Sequence, residues 1–211
     1  MSDFEIKHKQ ASKLSEHTAY KITQILKFLL NIFYGKKYAK RAVILETIAA
    51  VPGMVAGMFN HLKALRRMKD DEGWIRELLD EAENERMHLM IFLDIAKPSW
   101  VERTLVLIGQ GAFIFVYGLI YLLSSKIAHR VVGYFEEEAC KSYTEYLNKI
   151  DDGEVDNVAA PQIAIEYYQL PPDAKLRDVI LKIRNDEANH RDRNHSFADA
   201  YETSNLPQHL Y

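Results

Sequence analysis

The sequence predicts an all-α protein built as a helical bundle, and three observations carry that prediction. Glycine and proline are scarce, 9 and 6 of 211 residues, and strictly alternating segments are few. Leu, Ile, Ala, Glu and Lys are abundant. Apolar residues recur at helical spacing over long stretches that only short Pro, Gly and Asp signals interrupt. A chain of this length forms one sizeable domain with a well-buried core.

Six long helices are expected, over 20–35, 40–69, 73–96, 99–125, 127–150 and 174–203. The first, ITQILKFLLNIFY, carries an apolar face bordered by Lys21, Lys27, Lys36 and Lys37. The second holds AVILETIAAV, with Pro52 and Gly53 inside it at a position where a kink is expected. The third contains EAENERMHL and turns apolar towards its end. Pro98 and Ser99 separate it from the fourth, since proline starts helices well and continues them badly. Asp151, Asp152 and Gly153 close the fifth. Residues 153–173, with Pro161, Pro171 and Pro172, form the longest irregular connection, holding a short helix near AIEYY before the last long helix begins. The sequence shows no internal repeat and no low-complexity run.

A net charge of −3 argues against a nucleic-acid partner held by broad phosphate neutralisation. The single cysteine, Cys140, has no partner within the chain for a disulfide, which suits a reducing compartment. The first twenty residues lack the apolar core of a secretory signal, and they carry Asp3, Glu5 and Glu16 without an arginine, unlike an organelle transit peptide. A bacterial chain or an already trimmed one is therefore expected.

Glu-x-x-His occurs three times, as Glu5/His8, Glu85/His88 and Glu187/His190. Uniform placement of the glutamates and histidines would give roughly 0.6 such pairs, although a helix makes any i, i+3 pair neighbours. Glu5/His8 sits in a polar arm and reads as coincidence; the other two lie deep in helices. Two such pairs on separate helices, with one glutamate from each of two more, form the ligand set of di-iron and di-manganese carboxylate bundles. Glu46, in AVILETIAAV, and Glu136, after HRVVGYF, supply the extra glutamates from helices otherwise fit for burial. An unpaired buried carboxylate costs several kcal/mol or takes up a proton. A metal pair removes that objection. Taken singly, a helical Glu-x-x-His more often marks a solvated face, and Glu136, Glu137 and Glu138 read as an acidic surface; the order Glu, Glu-x-x-His, Glu, Glu-x-x-His is what favours a site.

LETIAAVPGMVAG (45–57), AENERMHL (82–89), YFEEEA (134–139) and DEANHRDRNH (186–195) resemble the four signature segments of the alternative oxidases, the non-haem di-iron ubiquinol oxidases of mitochondria and some bacteria. The resemblance implies a ferritin-like four-helix bundle with a di-iron centre, plus two additional membrane-surface helices. It implies two iron ions held by Glu46, Glu85, Glu136 and Glu187, with His88 and His190 completing the site, and ubiquinol and O2 as substrates. Tyr143, two turns beyond Glu136 on the same face, matches a tyrosine implicated in electron transfer during oxygen reduction. Asn84 and Asp186, each directly before a ligand glutamate, and Tyr167 match groups that orient the ligands by hydrogen bonds. Arg41, Leu45, Phe135, Glu138, Ala139 and Ser142 match the quinol pocket. Phe135 and Ser142 are mild departures from leucine and threonine. Asn189 stands for a usual histidine, and Tyr168 for the tryptophan of a Tyr–Trp pair.

From Thr104 to Ser125 no charged residue occurs, a length sufficient to cross a bilayer. A single crossing would place Glu46, Glu85 and His88 on one side and Glu136, Glu187 and His190 on the other. No second apolar run of sufficient length is apparent, so this helix is expected to lie in one leaflet beside an interfacial first helix with snorkelling lysines. The resemblance also implies a monotopic homodimer on the inner membrane of a bacterium, or on the matrix side of the mitochondrial inner membrane for a trimmed chain. The organisation that follows is an N-terminal arm over 1–19 making dimer contacts, a catalytic domain over 20–203 and a tail over 204–211. Rival readings are a di-iron hydroxylase of a quinone or lipid precursor, a ferritin-like iron-binding protein, and a metal-free helical scaffold.

Overall fold

Where each helix starts and stops follows from local chemistry. The computed structural model describes residues 7–34, 38–203 and 206–210. These form α1 (Leu14–Tyr34), α2 (Tyr38–Arg67), α3 (Trp74–Ala96), α4 (Trp100–Leu123), α5 (Ser125–Asp151), α6 (Gln162–Tyr168) and α7 (Leu176–Thr203), followed by a 3-10 turn at Gln208–Leu210. Among the described residues the only strand-like pairing is an isolated bridge between Ala159 and Lys175. Glu5, Lys36 and Lys37, to which the sequence reading assigned roles, lie outside the described residues, as do parts of the arm and tail.

The first helix starts six residues before the sequence expectation. Glu16 accepts from the backbone N–H groups of Ser12 at 2.8 Å and Lys13 at 3.2 Å, which satisfies donors that an N-terminal turn leaves unpaired. Ser99 caps α4 as expected: its Oγ accepts from the Glu102 N–H at 3.3 Å and its own N–H donates to Glu102 at 2.8 Å. Ser124 alone separates α4 from α5, capping the latter through the Ile127 N–H. The helical assignment of α2 continues through Pro52.

Helices α2 and α3 form one close pair and α5 and α7 another, while contacts between the pairs are sparse. Close approach within a pair needs small residues. A Cβ on Gly53 would stand 2.4 Å from the Leu78 carbonyl oxygen, and one on Gly133 would stand 2.5 Å from the His195 ring. α1 lies on α5, α4 runs against α2, and α6 bridges α3 and α7.

The described apolar core falls into four clusters, and the two largest make its main layers. One holds Ala42, Val43, Ile91, Phe92, Ala139, Tyr143, Val179, Ile180 and Ile183; the other holds Val51, Val55, Leu78, Tyr117, Val132 and Phe197. On each of α2, α3, α5 and α7 the sequence passes from one layer to the other through a buried glutamate: Glu46, Glu85, Glu136 or Glu187. Four carboxyl groups thus form a polar layer inside an apolar sandwich.

Two described helices, α2 and α4, are long and apolar enough to cross a membrane. This corrects the expectation of a single such run. Most of the apolar window of α2 is buried in the core, whereas only 12% of that of α4 is. α4 turns Tyr117 and Tyr121 inward and leaves Leu107, Ile108, Phe115, Leu119, Leu122 and Leu123 exposed; Ile25 and Phe28 of α1 are exposed as well.

Candidate metal centre

Glu46, Glu85, His88 and Glu187 offer ligand atoms that all lie within 4.8 Å of one another, and all four residues are buried. Three helices supply them, and each side chain is fixed by the layer it emerges from. His88 Nδ1 is 3.2 Å from Glu46 Oε2, 3.2 Å from Glu187 Oε1 and 3.5 Å from Glu85 Oε2. His190 joins from α7, its Nδ1 2.6 Å from Glu85 Oε1 and 3.7 Å from Glu187 Oε2. Glu136 completes the ring from α5, 1% exposed and interacting with Glu187.

Such a cluster is unstable as bare side chains. Both carboxylate oxygens of Glu85 and of Glu187, Oε2 of Glu136 and Nδ1 of His190 are buried without a well-aligned hydrogen bond; what four of the oxygens have instead is an imidazole nitrogen at 2.6–3.7 Å. Burial, reinforced by the charges of Glu187 and Glu85, pushes the carboxyl groups of Glu46 and Glu136 well above the usual carboxylate range. Burial alone would lower the imidazoles of His88 and His190. The surrounding carboxylates outweigh it and raise both well above the ordinary histidine value. Glu85, despite its burial, is held well below by His190 and His88. Divalent or trivalent cations among hard oxygens and two imidazoles would satisfy the orphaned atoms and replace the protons, so the donor set fits a metal pair.

A signed expectation follows. Burial and the neighbouring carboxylates raise the proton affinity of Glu46, Glu136, His88 and His190, and a cation bound here would displace those protons, because ligands bind deprotonated. Metal affinity should therefore rise with pH from the carboxylate range upward, and binding should release protons. Calorimetric titrations in buffers of different ionisation enthalpy would detect that release; binding that is independent of pH and buffer would contradict it.

Around this ring the predicted supporting residues take defined places. Asp186 Oδ2 is 3.3 Å from His88 Nε2 and accepts from Tyr168 OH at 2.8 Å and from Asn84 Nδ2 at 3.3 Å. Asn84 also donates to Tyr167 OH at 2.7 Å. Tyr168, the departure from the usual tryptophan, thus supplies a donor to Asp186, while Asn189 is exposed. Tyr143 donates its hydroxyl proton to Glu46 Oε1, and its ring stacks on Phe92 at 5.8 Å.

The residues matched to a quinol pocket are less tightly gathered. Leu45 and Phe135 pack together with Ala49, while Ala139 belongs to the neighbouring apolar layer. Glu138 pairs with Lys27 of α1 at 2.5 Å and with Lys141 at 2.8 Å. Arg41 has a buried Nε without a hydrogen-bond partner, and Ser142 is buried. A small apolar pocket lined by Leu26, Ile48, Ala49, Pro52, Phe113 and Phe135 joins α1 and α4 to this region.

Three adjacent glutamates on α5, 100° apart around the helix, therefore have separate partners. Glu136 faces the ring and Glu138 faces α1. Glu137 accepts from the Lys9 backbone N–H at 2.9 Å and lies 3.0 Å from His195 Nε2 and 2.5 Å from His8 Nδ1. The acidic-surface reading of this run is corrected by the burial of Glu136 and Glu137. His8, which seemed part of a coincidental motif, is one of the groups anchoring the arm. Sequence reasoning passed over Glu81, 2% exposed and one turn before Glu85; its i, i+4 spacing from a ligand glutamate was the available signal.

Seven α-helices among the described residues, with Glu46, Glu85 and Glu187 gathered about His88, define a helical bundle whose buried Glu/His cluster could bind metal. The profile of one family, described as alternative oxidase, matches residues 1–199, and the chain belongs to that family. It is 53% identical over 195 residues to a ubiquinol oxidase 2, mitochondrial, of Nicotiana tabacum, covering 92% of this chain and 66% of that protein. It is 52% identical over 193 residues to the ubiquinol oxidase 2, mitochondrial, of Arabidopsis thaliana, covering 92% and 55%. Against the ubiquinol oxidase 1a, mitochondrial, of Oryza sativa subsp. japonica the identity is 54% over 195 residues, covering 92% and 59%. The chain thus spans 55–66% of the length of these relatives.

Proposed function

We propose that the protein is a ubiquinol oxidase that oxidises two quinols and reduces one O2 to two waters at a di-iron centre, without pumping protons and without inhibition by cyanide. The observation that carries this reading is the buried carboxylate ring, whose orphaned oxygens call for cations. The names of the relatives support the substrates. Glu46, Glu85, Glu136 and Glu187 would hold the two irons, with His88 and His190 at its edge. Bound iron supplies oxygen binding and electron storage that no side chain offers.

The chain's own residues do the rest. Ile91, Phe92, Val179 and Ile183, all fully buried, keep bulk water from one side of the ring. Tyr143 holds a proton at Glu46 Oε1 and lies on the same helix as Ser142, Ala139 and Glu138; it relays a proton and an electron from quinol. Asp186, steadied by Asn84 and Tyr168, holds His88 from behind. Leu45, Phe135 and Ala139 receive the quinol ring, and Arg41, Glu138 and Ser142 supply polar contacts to its oxygens. Each quinol gives up two protons and two electrons, so the two waters form with no net proton drawn from solution.

The quinol arrives from a membrane. The exposed face of α4, with that of α1, lies in one leaflet of an inner membrane, on the matrix side in a mitochondrion or in a bacterial inner membrane; the names of the relatives support the mitochondrion. The homodimer belongs to the same proposal, through the arm over 1–19 and the exposed Met54, Met58 and Leu62 of α2. Glutamates in place of Phe115 and Leu122, 74% and 67% exposed, are expected to weaken vesicle binding by about tenfold or more and to leave iron content unchanged. Cosedimentation with quinone-free vesicles measures this, and undiminished binding would remove α4 from the membrane contact. The function itself is tested by quinol-dependent oxygen uptake in cyanide: uptake is expected, and iron-loaded protein that never turns quinol over would favour storage or hydroxylation instead.

A further inference from the structure

We propose that Glu81 is a positioning residue for the metal centre, a buried anion held by a one-directional chain of hydrogen bonds, which favours the more highly charged state of the metals through His190 and Glu85. The inference rests on the di-metal reading of the centre.

Glu81 precedes Glu85 by one helical turn and shares its face, and Asn194 follows His190 by one turn on α7. The pair repeats, one layer down, the rung that Glu85 and His190 make between α3 and α7. Asn194 Nδ2 reaches both Glu81 oxygens, at 2.8 and 3.0 Å, and the His190 carbonyl at 3.0 Å. With its amide nitrogen so used, its Oδ1 is left as acceptor for His129 Nδ1 at 3.2 Å. His129 is fully buried, and burial lowers it to about 4, so it is neutral and carries a single proton, on Nδ1. Its Nε2 then accepts from Tyr121 OH at 3.3 Å. Tyr121 OH in turn accepts from Asn60 Nδ2 at 2.8 Å, and Asn60 Oδ1 faces His209 Nε2 at 2.9 Å.

Every link donates in the same sense, from His209 in the C-terminal 3-10 turn through Asn60, Tyr121, His129 and Asn194, and the terminal acceptor is the Glu81 carboxylate. Aligned donors polarise one another and strengthen the last bond. Among the described residues no salt bridge reaches Glu81; burial pushes its carboxyl up to about 7 against the His190 charge and the Asn194 amide at the end of this chain, so it is an anion above that pH. A negative charge beside His190 and one turn from Glu85 stabilises oxidised over reduced metal, the tuning that groups behind metal ligands exert.

The test uses the full chain loaded with iron. At a pH above about 7, where Glu81 is ionised, Glu81→Gln keeps the size and the acceptor oxygen but removes the charge. The reduction potential of the centre, followed by spectroscopically monitored redox titration, is expected to move upward, and chelator competition is expected to show ferrous affinity weakened about tenfold or more. Tyr121→Phe interrupts the chain far from the metals and should move the potential in the same direction by less, which keeps the test open if Glu81→Gln does not fold. An unmoved potential with parental affinity, whether or not the melting temperature changes, would leave Glu81 a packing residue and overturn the proposal. Failure of the parent to bind an iron pair would appear before any variant is made, and would overturn the di-metal reading with it.

Discussion

Glu136→Gln is expected to bring quinol-dependent oxygen uptake to background and to reduce the iron bound per chain. The change is nearly isosteric, so packing between the apolar layers is preserved and the loss falls on the carboxylate. Stability gives the sharper sign. In metal-free protein burial and the charges of Glu187 and Glu85 force the Glu136 carboxyl to take up a proton, and a glutamine, neutral from the start, avoids that cost. The metal-free variant should therefore melt at or above the temperature of the metal-free parent, while the rise in melting temperature on adding iron should shrink. Glu5→Ala should alter neither iron content nor uptake. If Glu136→Gln destabilises the metal-free protein yet keeps iron and activity, the carboxyl group is structural.

Tyr143→Phe separates chemistry from assembly. The ring stacked on Phe92 remains, and only the hydroxyl that donates to Glu46 is lost. Iron content should stay at the parental level while turnover falls by about a hundredfold or more, the scale of a positioned proton-transfer group. Parallel losses of iron and turnover would make Tyr143 a support for Glu46, and unchanged turnover would make it one of the core's packing tyrosines.

Much of this arrangement was legible in the sequence because the candidate ligands obey helical arithmetic. Glu-x-x-His places two donors on one face, and a lone glutamate such as Glu46 within an apolar run calls for a partner. Tyr143 could be assigned to the Glu136 face by spacing, although its contact turned out to be with Glu46 across the bundle. Pro98–Ser99 announced the start of α4, and AIEYY the short α6 that carries Tyr167 and Tyr168 to Asn84 and Asp186.

The rest depends on contacts between helices, which no spacing rule encodes. Glu81 and Asn194 are 113 positions apart, and each taken alone reads as an ordinary polar helix residue. Glu136, Glu137 and Glu138 look alike in sequence and differ only in which neighbour each faces. No second apolar run of spanning length is apparent in the sequence, yet α2 contains one; burial against α3, not composition, distinguishes it from α4. The start of α1 was misplaced because the Glu16 carboxylate satisfies backbone donors upstream, a local bond that hydrophobic periodicity does not register.

The central claim is that glutamates from four helices hold two metal ions together in one layer. X-ray absorption at the iron edge, on protein whose iron per chain has been counted, tests it directly. Two irons per chain and an iron–iron distance of about 3.5–4 Å, the usual span of a two-metal site, are predicted. Iron bound without an iron–iron vector, or a protein that binds none, would contradict it.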